Sequence, residues 1–146
     1  MKKNKIRIFE FFILAVIGLV IAGCANAQIT PENNNKNNNI NFKTISTGST
    51  QTNDVLIGLT PIRIENNRLE INFAANTHSV DLSQFDLMKI TALIYDNKQI
   101  KLISAPALSG HHSSGELVFN IDKTPNNFKI TIINIPNIEE RIFEWP

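Results

Sequence analysis

The sequence predicts an all-β domain in residues 54–146, an immunoglobulin-like antiparallel β-sandwich of seven or eight short strands. Short runs rich in Ile, Leu, Val, Phe and Thr recur there between turn residues, which is typical of strands. No stretch shows the 3.6-residue period of an amphipathic helix. Residues 69–73 alternate strictly between apolar and polar side chains, so one face of that strand is expected to be buried and the other solvated.

Eight segments have strand-like composition, and Pro, Asn and Gly separate them. The predicted strands are residues 55–59, 62–65, 69–74, 88–95, 99–103, 116–120, 127–135 and 140–145. Asn66-Asn67 predicts a tight hairpin turn, because Asn tolerates positive φ. Residues 79–85 have room for a single helical turn.

Residues 1–23 have the layout of a signal peptide, with a basic start followed by an apolar run of 13 residues from Phe11 to Gly23. As a helix this run spans about 20 Å, short of the roughly 30 Å of a bilayer core. A cleaved export signal therefore fits the run better than an uncleaved membrane anchor, which stays an alternative.

The apolar run ends in Ile21-Ala22-Gly23-Cys24, which resembles the bacterial lipobox. The resemblance implies that Cys24 becomes the mature N-terminus and carries a diacylglyceryl group and an N-acyl chain, which together anchor a protein stably. The chain would then sit in the cell envelope, on the extracytoplasmic side of a bacterial membrane. The alternative is cleavage before Gln28, after the A-x-A site at residues 25–27, which would release a secreted or periplasmic protein. The only cysteine of the chain stands where a lipobox needs it, which favours lipidation.

Residues 24–53 are predicted to be the lipid-attachment Cys and a flexible Asn-rich linker, since they bury too little apolar surface to offset the entropy of ordering. The domain that follows has eight Lys and Arg residues against eleven Asp and Glu residues, without a basic cluster. This argues against nucleic acid as a partner.

Two motifs stand in the domain: G-H-H-x-x-G-x-L-x-F at residues 110–119 and E-R-x-F-x-W at residues 140–145. They resemble motifs of a poorly characterised group of bacterial secreted or lipoprotein β-sandwich domains, and the resemblance implies a fold without an activity. From the residues themselves, Arg141, Phe143 and Trp145 are expected to hold the last strand in place, with Trp145 in the core.

The two adjacent histidines are the candidate metal ligands, because neutral imidazoles bind Cu²⁺ and Zn²⁺. Adjacent residues on an extended chain point in opposite directions, so His111 and His112 would need a third ligand. The candidates for that ligand are His78, Asp81 and Glu116. The alternative is that one histidine donates a hydrogen bond to a loop carbonyl.

The same loop is also a candidate contact for a protein partner, through Leu108, Ser109, His111, His112 and Ser113. No nucleophile motif and no phosphate-binding Gly loop occurs, and Asp81 and Asp86 are expected to cap turns. The sequence therefore predicts a non-enzymatic accessory or protein-binding domain of the envelope, without a cofactor other than its lipid. Its partners would be the membrane and another envelope protein, reached through a sheet edge or the loop at residues 108–114. An extracytoplasmic Cu/Zn-binding protein using the His111-His112 loop is the alternative.

Overall fold

The computed structural model describes residues 42–146, which form eight strands and two short helical turns. The strands are β1 (Ile45–Thr47), β2 (Leu56–Glu65), β3 (Arg68–Asn76), β4 (Thr91–Tyr95), β5 (Lys98–Ser104), β6 (His112–Asn120), β7 (Phe128–Ile135) and β8 (Ile138–Trp145). A 3₁₀ turn at Leu82–Gln84 and the helix α1 (Leu87–Ile90) lie between β3 and β4.

All strand pairs are antiparallel and follow one another in the order β1-β2-β3-β6-β5-β4-β7-β8. The strand β5 joins the two halves of the sheet, since residues 98–101 pair with β4 whereas Leu102 and Ser104 pair with β6. The all-β prediction with seven or eight strands is confirmed. Its immunoglobulin-like part is not, because the hydrogen bonds give one continuous series of strands.

Asparagine and aspartate make the tight turns. In the β2–β3 hairpin Asn66 and Asn67 have φ of 51° and 59°, and in the β4–β5 hairpin Asp96 and Asn97 have φ of 48° and 58°. Positive φ at both central residues defines a type I′ turn, whose twist matches that of the flanking strands. The hairpin predicted at Asn66-Asn67 is confirmed.

The folded part begins before residue 54, which corrects the predicted boundary of the linker. Within residues 42–53, Ile45–Thr47 pair with residues 57–59 of β2, and the Phe42 ring packs edge-on against Phe128 at 5.6 Å. The segment has no alternating pattern of its own, so its order comes from β2 and from the apolar surface that it covers. Predicted features of residues 1–41, including the signal peptide and Cys24, lie outside the described residues.

Three further boundaries differ from the prediction. Residues 88–90, expected to open a strand, belong to α1, because the Asp86 carboxylate accepts a hydrogen bond from the Met88 amide and starts a helix there. Residues 55–59 and 62–65 join into the single strand β2, with a register shift between Pro61 and Arg63. Residues 112–114, expected in a loop, belong to β6, since they pair with the end of β3.

The core lies between the two halves of the sheet, and the last strand closes it. Trp145 is 2 % exposed, stacks on Phe128 at 5.2 Å and donates from Nε1 to the Lys43 carbonyl at 2.9 Å. The edge strands β1 and β8 therefore lie beside each other, although no backbone ladder pairs them in residues 42–146. The expectation that Trp145 belongs to the core agrees with this position.

A polar cluster fixes the β4–β5 hairpin at one end of the sheet. The Tyr95 hydroxyl donates to Asp122 Oδ1 at 2.7 Å, and Lys98 pairs with the same carboxylate. The hydrogen bond from Lys98, followed by that from Tyr95, lowers the pKa of Asp122 to about 2. The cluster joins the hairpin to the segment that connects β6 with β7.

Helices are short throughout the described part, and none in residues 42–146 is long and apolar enough to cross a bilayer.

Candidate protein-binding surface

The loop at residues 108–114, which is predicted to contact a partner, makes several contacts within its own domain. Leu108 is 7 % exposed and belongs to the core. The Ser113 hydroxyl accepts from the Ser109 amide at 2.9 Å and donates to the Ser109 carbonyl at 3.0 Å. These contacts hold the connection between β5 and β6 in place, while Ser109, His111 and His112 remain exposed.

The glycines of the G-H-H-x-x-G motif have structural roles in the same connection. Gly110 has φ of 59° and turns the chain into β6. Gly115 lies beneath the Pro106 ring, and a Cβ at residue 115 would come within 2.7 Å of the Pro106 Cβ. The glycines of the motif therefore allow the connection between β5 and β6 to pack closely against β6.

The two histidines are held by neighbouring segments through their Nδ1 atoms. His111 Nδ1 lies 3.0 Å from the Val80 carbonyl oxygen, and His112 Nδ1 lies 2.9 Å from Asn76 Oδ1. Each oxygen accepts, so Nδ1 is the donor in both contacts. The expected hydrogen bond from a histidine to a loop carbonyl is the one that His111 makes.

The candidate third ligands do not gather around the histidines. Glu116 follows His112 by four residues on β6, which is about 13 Å along a strand. The Asp81 carboxylate accepts from the Ser83 amide and hydroxyl, and these hydrogen bonds, more than nearby His111, lower the pKa of Asp81. No group of three His, Cys, Asp or Glu side chains able to hold a metal ion occurs in residues 42–146.

The carboxylates expected to cap turns do so. Asp81 precedes the 3₁₀ turn and accepts from the Ser83 amide, and Asp86 precedes α1 and accepts from the Met88 amide. The buried side chains Leu82 and Leu87 follow these caps. The caps therefore place two apolar side chains in the core and direct the chain into β4.

A buried ion pair orients the last strand. Arg141 Nη2 donates to Asp54 Oδ1 at 3.2 Å and to the Pro136 carbonyl at 2.9 Å, and Arg141 is 1 % exposed. Burial raises the pKa of the Asp54 carboxyl, but hydrogen bonds from Ser49, Val55 and Arg141 outweigh this and leave the pKa below its usual value. Because successive residues of a strand point to opposite faces, a core-facing Arg141 turns Ile142 towards solvent.

The outward side chains of β4, β5, β7 and β8, together with Met88 of α1, form a surface that we call the outer face. One row runs straight across it, from Lys101 on β5 through Ala92 on β4 and Thr131 on β7 to Ile142 on β8. Ala92 and Thr131 are small and only 6 % exposed, so they form the floor of a shallow groove of about 420 Å³.

Large exposed apolar side chains lie on the same elements, and two of them, Met88 and Ile133, line the groove. The four large apolar residues that are most exposed within residues 42–146 are Met88 at 41 %, Ile103 at 43 %, Ile133 at 38 % and Ile142 at 47 %. All four belong to α1, β5, β7 or β8, and none belongs to β1, β2, β3 or β6. A concentration of exposed apolar surface on one side of a small domain is typical of a contact surface for another protein.

The other half of the sheet carries charged and polar groups outward. A depression of about 490 Å³ in that half is lined by Arg63, Glu65, Asn66, Arg68 and Glu70. Arg63 pairs with both Glu65 and Glu70 there, so the charges of that half are largely balanced within it. The contrast between the halves makes the outer face the stronger candidate for a binding surface.

Sequence reasoning missed the outer face because its residues are the same types as those of the core. Two signals were present. Ile132 and Ile133 are adjacent on one strand, so one of them must face away from the core. In Arg141-Ile142-Phe143 the buried Phe143 places Arg141 inside and Ile142 outside, the reverse of what polarity alone suggests.

Comparison with known proteins found no matching family model, no similar curated protein and no similar solved structure.

Proposed function

We propose that this chain is a non-enzymatic, lipid-anchored module of the bacterial cell envelope that binds a protein through its outer face. Cys24 carries the lipid, and the folded part stands on the extracytoplasmic side of the membrane. The proposal moves the binding surface away from the loop at residues 108–114, because Leu108 belongs to the core and the exposed side chains of that loop include no large apolar one.

The observation that carries the proposal is the one-sided distribution of exposed apolar side chains. Ile133 and Ile142 are more than one-third exposed on adjacent strands, beside a groove whose floor is apolar or small. Burial of such surface favours association by about 25 cal/mol for each Å² removed from water. On the other half the outward side chains of β2 and β3 include Arg63, Glu70 and Asn72, which water solvates well.

The tether supports display of this surface above a membrane. We propose that the predicted flexible linker joins Cys24 to the folded part, and a flexible linker of about 18 residues reaches about 21–25 Å. This distance places the domain near the head groups while leaving its faces free to turn. A partner anchored in the same envelope is within reach of such a domain.

Two measurements in intact cells test the proposal. First, a clickable fatty acid is supplied during growth, and the protein is expected to carry label that Cys24→Ser abolishes. A mature N-terminus at Gln28 would contradict the lipid anchor.

Second, a photo-activatable amino acid replaces Ile142, and the same amino acid at Asn72 on the opposite half serves as the matched control. The expected result is a discrete cross-linked band from position 142 and none from position 72. Equal, diffuse labelling from both positions would contradict binding through the outer face.

A further inference from the structure

We propose that the outer face binds a second copy of this chain, so that the domain is a weak symmetric dimer on the membrane. The inference rests on the proposed function, since it names the partner of the same surface. The outer face is self-complementary in charge as well as apolar, and this pattern distinguishes a second copy from an unrelated partner.

Two charges of the outer face lie at its opposite sides. Lys101 lies on the β5 side and Glu140 on the β8 side, and both side chains are exposed, whereas Glu144 of β8 stands opposite Lys129 of β7. No ion pair within residues 42–146 involves any of them. Lys101 and Glu140 therefore keep their charges available at opposite margins of the same groove, which both residues line.

A two-fold axis makes this arrangement complementary. When two such faces pack together, an axis running between β4 and β7, roughly along the strands, exchanges the β5 side of one copy with the β8 side of the other. Lys101 of each copy then approaches Glu140 of its partner, so the contact forms twice. The same rotation keeps the cross-strand rows aligned, so Thr131 of one copy lies over Ala92 of the other, and Ile142 lies over the aliphatic part of Lys101.

The size of the face predicts a weak dimer. Four strands about 4.8 Å apart and about five residues long, at about 3.3 Å per residue, give about 320 Å² on each copy, before side-chain relief is included. A total near 650 Å² lies below the roughly 1,200–2,000 Å² of stable interfaces, in the range of weak and transient contacts, so the dissociation constant in solution is expected to be about 0.1 mM or weaker. Two copies confined to one membrane meet at a higher local concentration than free copies in solution, and this favours the dimer by mass action.

Charge exchange between Lys101 and Glu140 tests the symmetric pairing. The sample is the lipid-free mature chain, residues 24–146 with Cys24→Ser, and its mass is measured by sedimentation equilibrium between about 10 µM and 1 mM. Lys101→Glu and Glu140→Lys each place like charges at two symmetric contacts, so each variant alone is expected to dimerise at least about tenfold more weakly.

A mixture of the two variants restores both contacts, because the first contributes two acidic margins and the second two basic ones. Its association is expected to match or exceed that of the parent chain, as is that of the double variant Lys101→Glu/Glu140→Lys. Arg68→Glu, which makes a similar charge change on the other half, is the matched control and is expected to leave dimerisation unchanged.

The outcomes separate this inference from the proposed function. A parent chain that stays monomeric at 1 mM, or single variants whose mixture does not recover, would overturn the symmetric dimer. If position 142 still gives a discrete cross-link in cells, with the mass of a different protein, the binding face stands and the second copy does not. If position 142 gives no cross-link either, both proposals fail.

Discussion

The buried ion pair of Arg141 and Asp54 predicts that loss of one partner destabilises the domain more than loss of the other. Both partners lie in the domain interior, but they are supported unequally. The Asp54 carboxylate also accepts from the Ser49 hydroxyl and the Val55 amide, each at 2.8 Å. The Arg141 side chain is fully enclosed, with its Nε unpartnered among residues 42–146. Loss of the carboxylate therefore leaves a worse-compensated charge than loss of the guanidinium.

Breaking a buried ion pair costs about 3–5 kcal/mol, because one uncompensated charge remains. We expect Asp54→Asn to lower the free energy of unfolding by about 4–5 kcal/mol and Arg141→Met by about 3 kcal/mol. The double variant should cost less than the sum by about 2 kcal/mol or more, since it leaves neither charge behind.

Urea unfolding of the lipid-free mature chain measures these values. The single tryptophan, Trp145, is buried four residues after Arg141 in β8, and its emission reports the transition. Equal costs for the two single variants, or strict additivity in the double variant, would refute the reasoning that charge compensation governs this site.

Three other contacts can be tested by single substitutions. The pKa of Asp122 falls from its ordinary value of 3.8 to about 2 in the folded chain, so its contribution to stability is present above pH 3.8 and is lost as the pH falls through about 2. Asp122→Asn should remove this pH dependence of stability from an acid titration followed by circular dichroism. An unchanged titration profile would argue against a stabilising role of the cluster of Tyr95, Lys98 and Asp122. Gly115→Ala should lower stability by about 1–3 kcal/mol through overpacking against Pro106, which thermal unfolding measures; a stability equal to that of the parent chain would mean that Pro106 moves freely. His111→Ala should lower the free energy of unfolding by about 0.5–1.5 kcal/mol, because it removes the hydrogen bond to the Val80 carbonyl. Calorimetric titration of the parent chain with Zn²⁺ should show no site of micromolar affinity. A site of micromolar affinity that is lost in His111→Ala/His112→Ala would restore the metal-binding alternative.

The sequence predicted those parts of the fold that local chemistry determines. Alternation in residues 69–73 identified β3, and Asn66-Asn67 identified the hairpin that precedes it, because a turn with two positive φ values needs such residues. The caps at Asp81 and Asp86 were likewise predicted from residue type alone.

The remaining parts depend on partners distant in sequence. The strand β1 has three residues and is ordered by pairing with β2 and by the contacts of the preceding Phe42 and Lys43 with Phe128 and Trp145. The start of β6 contains Ser113 and Ser114, which have little strand preference, but β3 supplies a ladder for them. The alternation of Phe128, Ile130 and Ile132 indicates that Ile133 faces outward, but only the pairing of β7 with β4 and β8 places Ile133 beside the groove.

Side-chain accessibility in the native envelope is the most direct measure of whether the outer face is a binding surface. Hydroxyl-radical footprinting compares the lipid-anchored chain in intact envelopes with the lipid-free mature chain at low concentration, with half-buried Ile62 on β2 as the reference. The account predicts that oxidation of Met88, Ile133 and Ile142 falls at least about threefold in the envelope, while oxidation of Ile62 stays the same. Equal oxidation of the outer face in both states would contradict it.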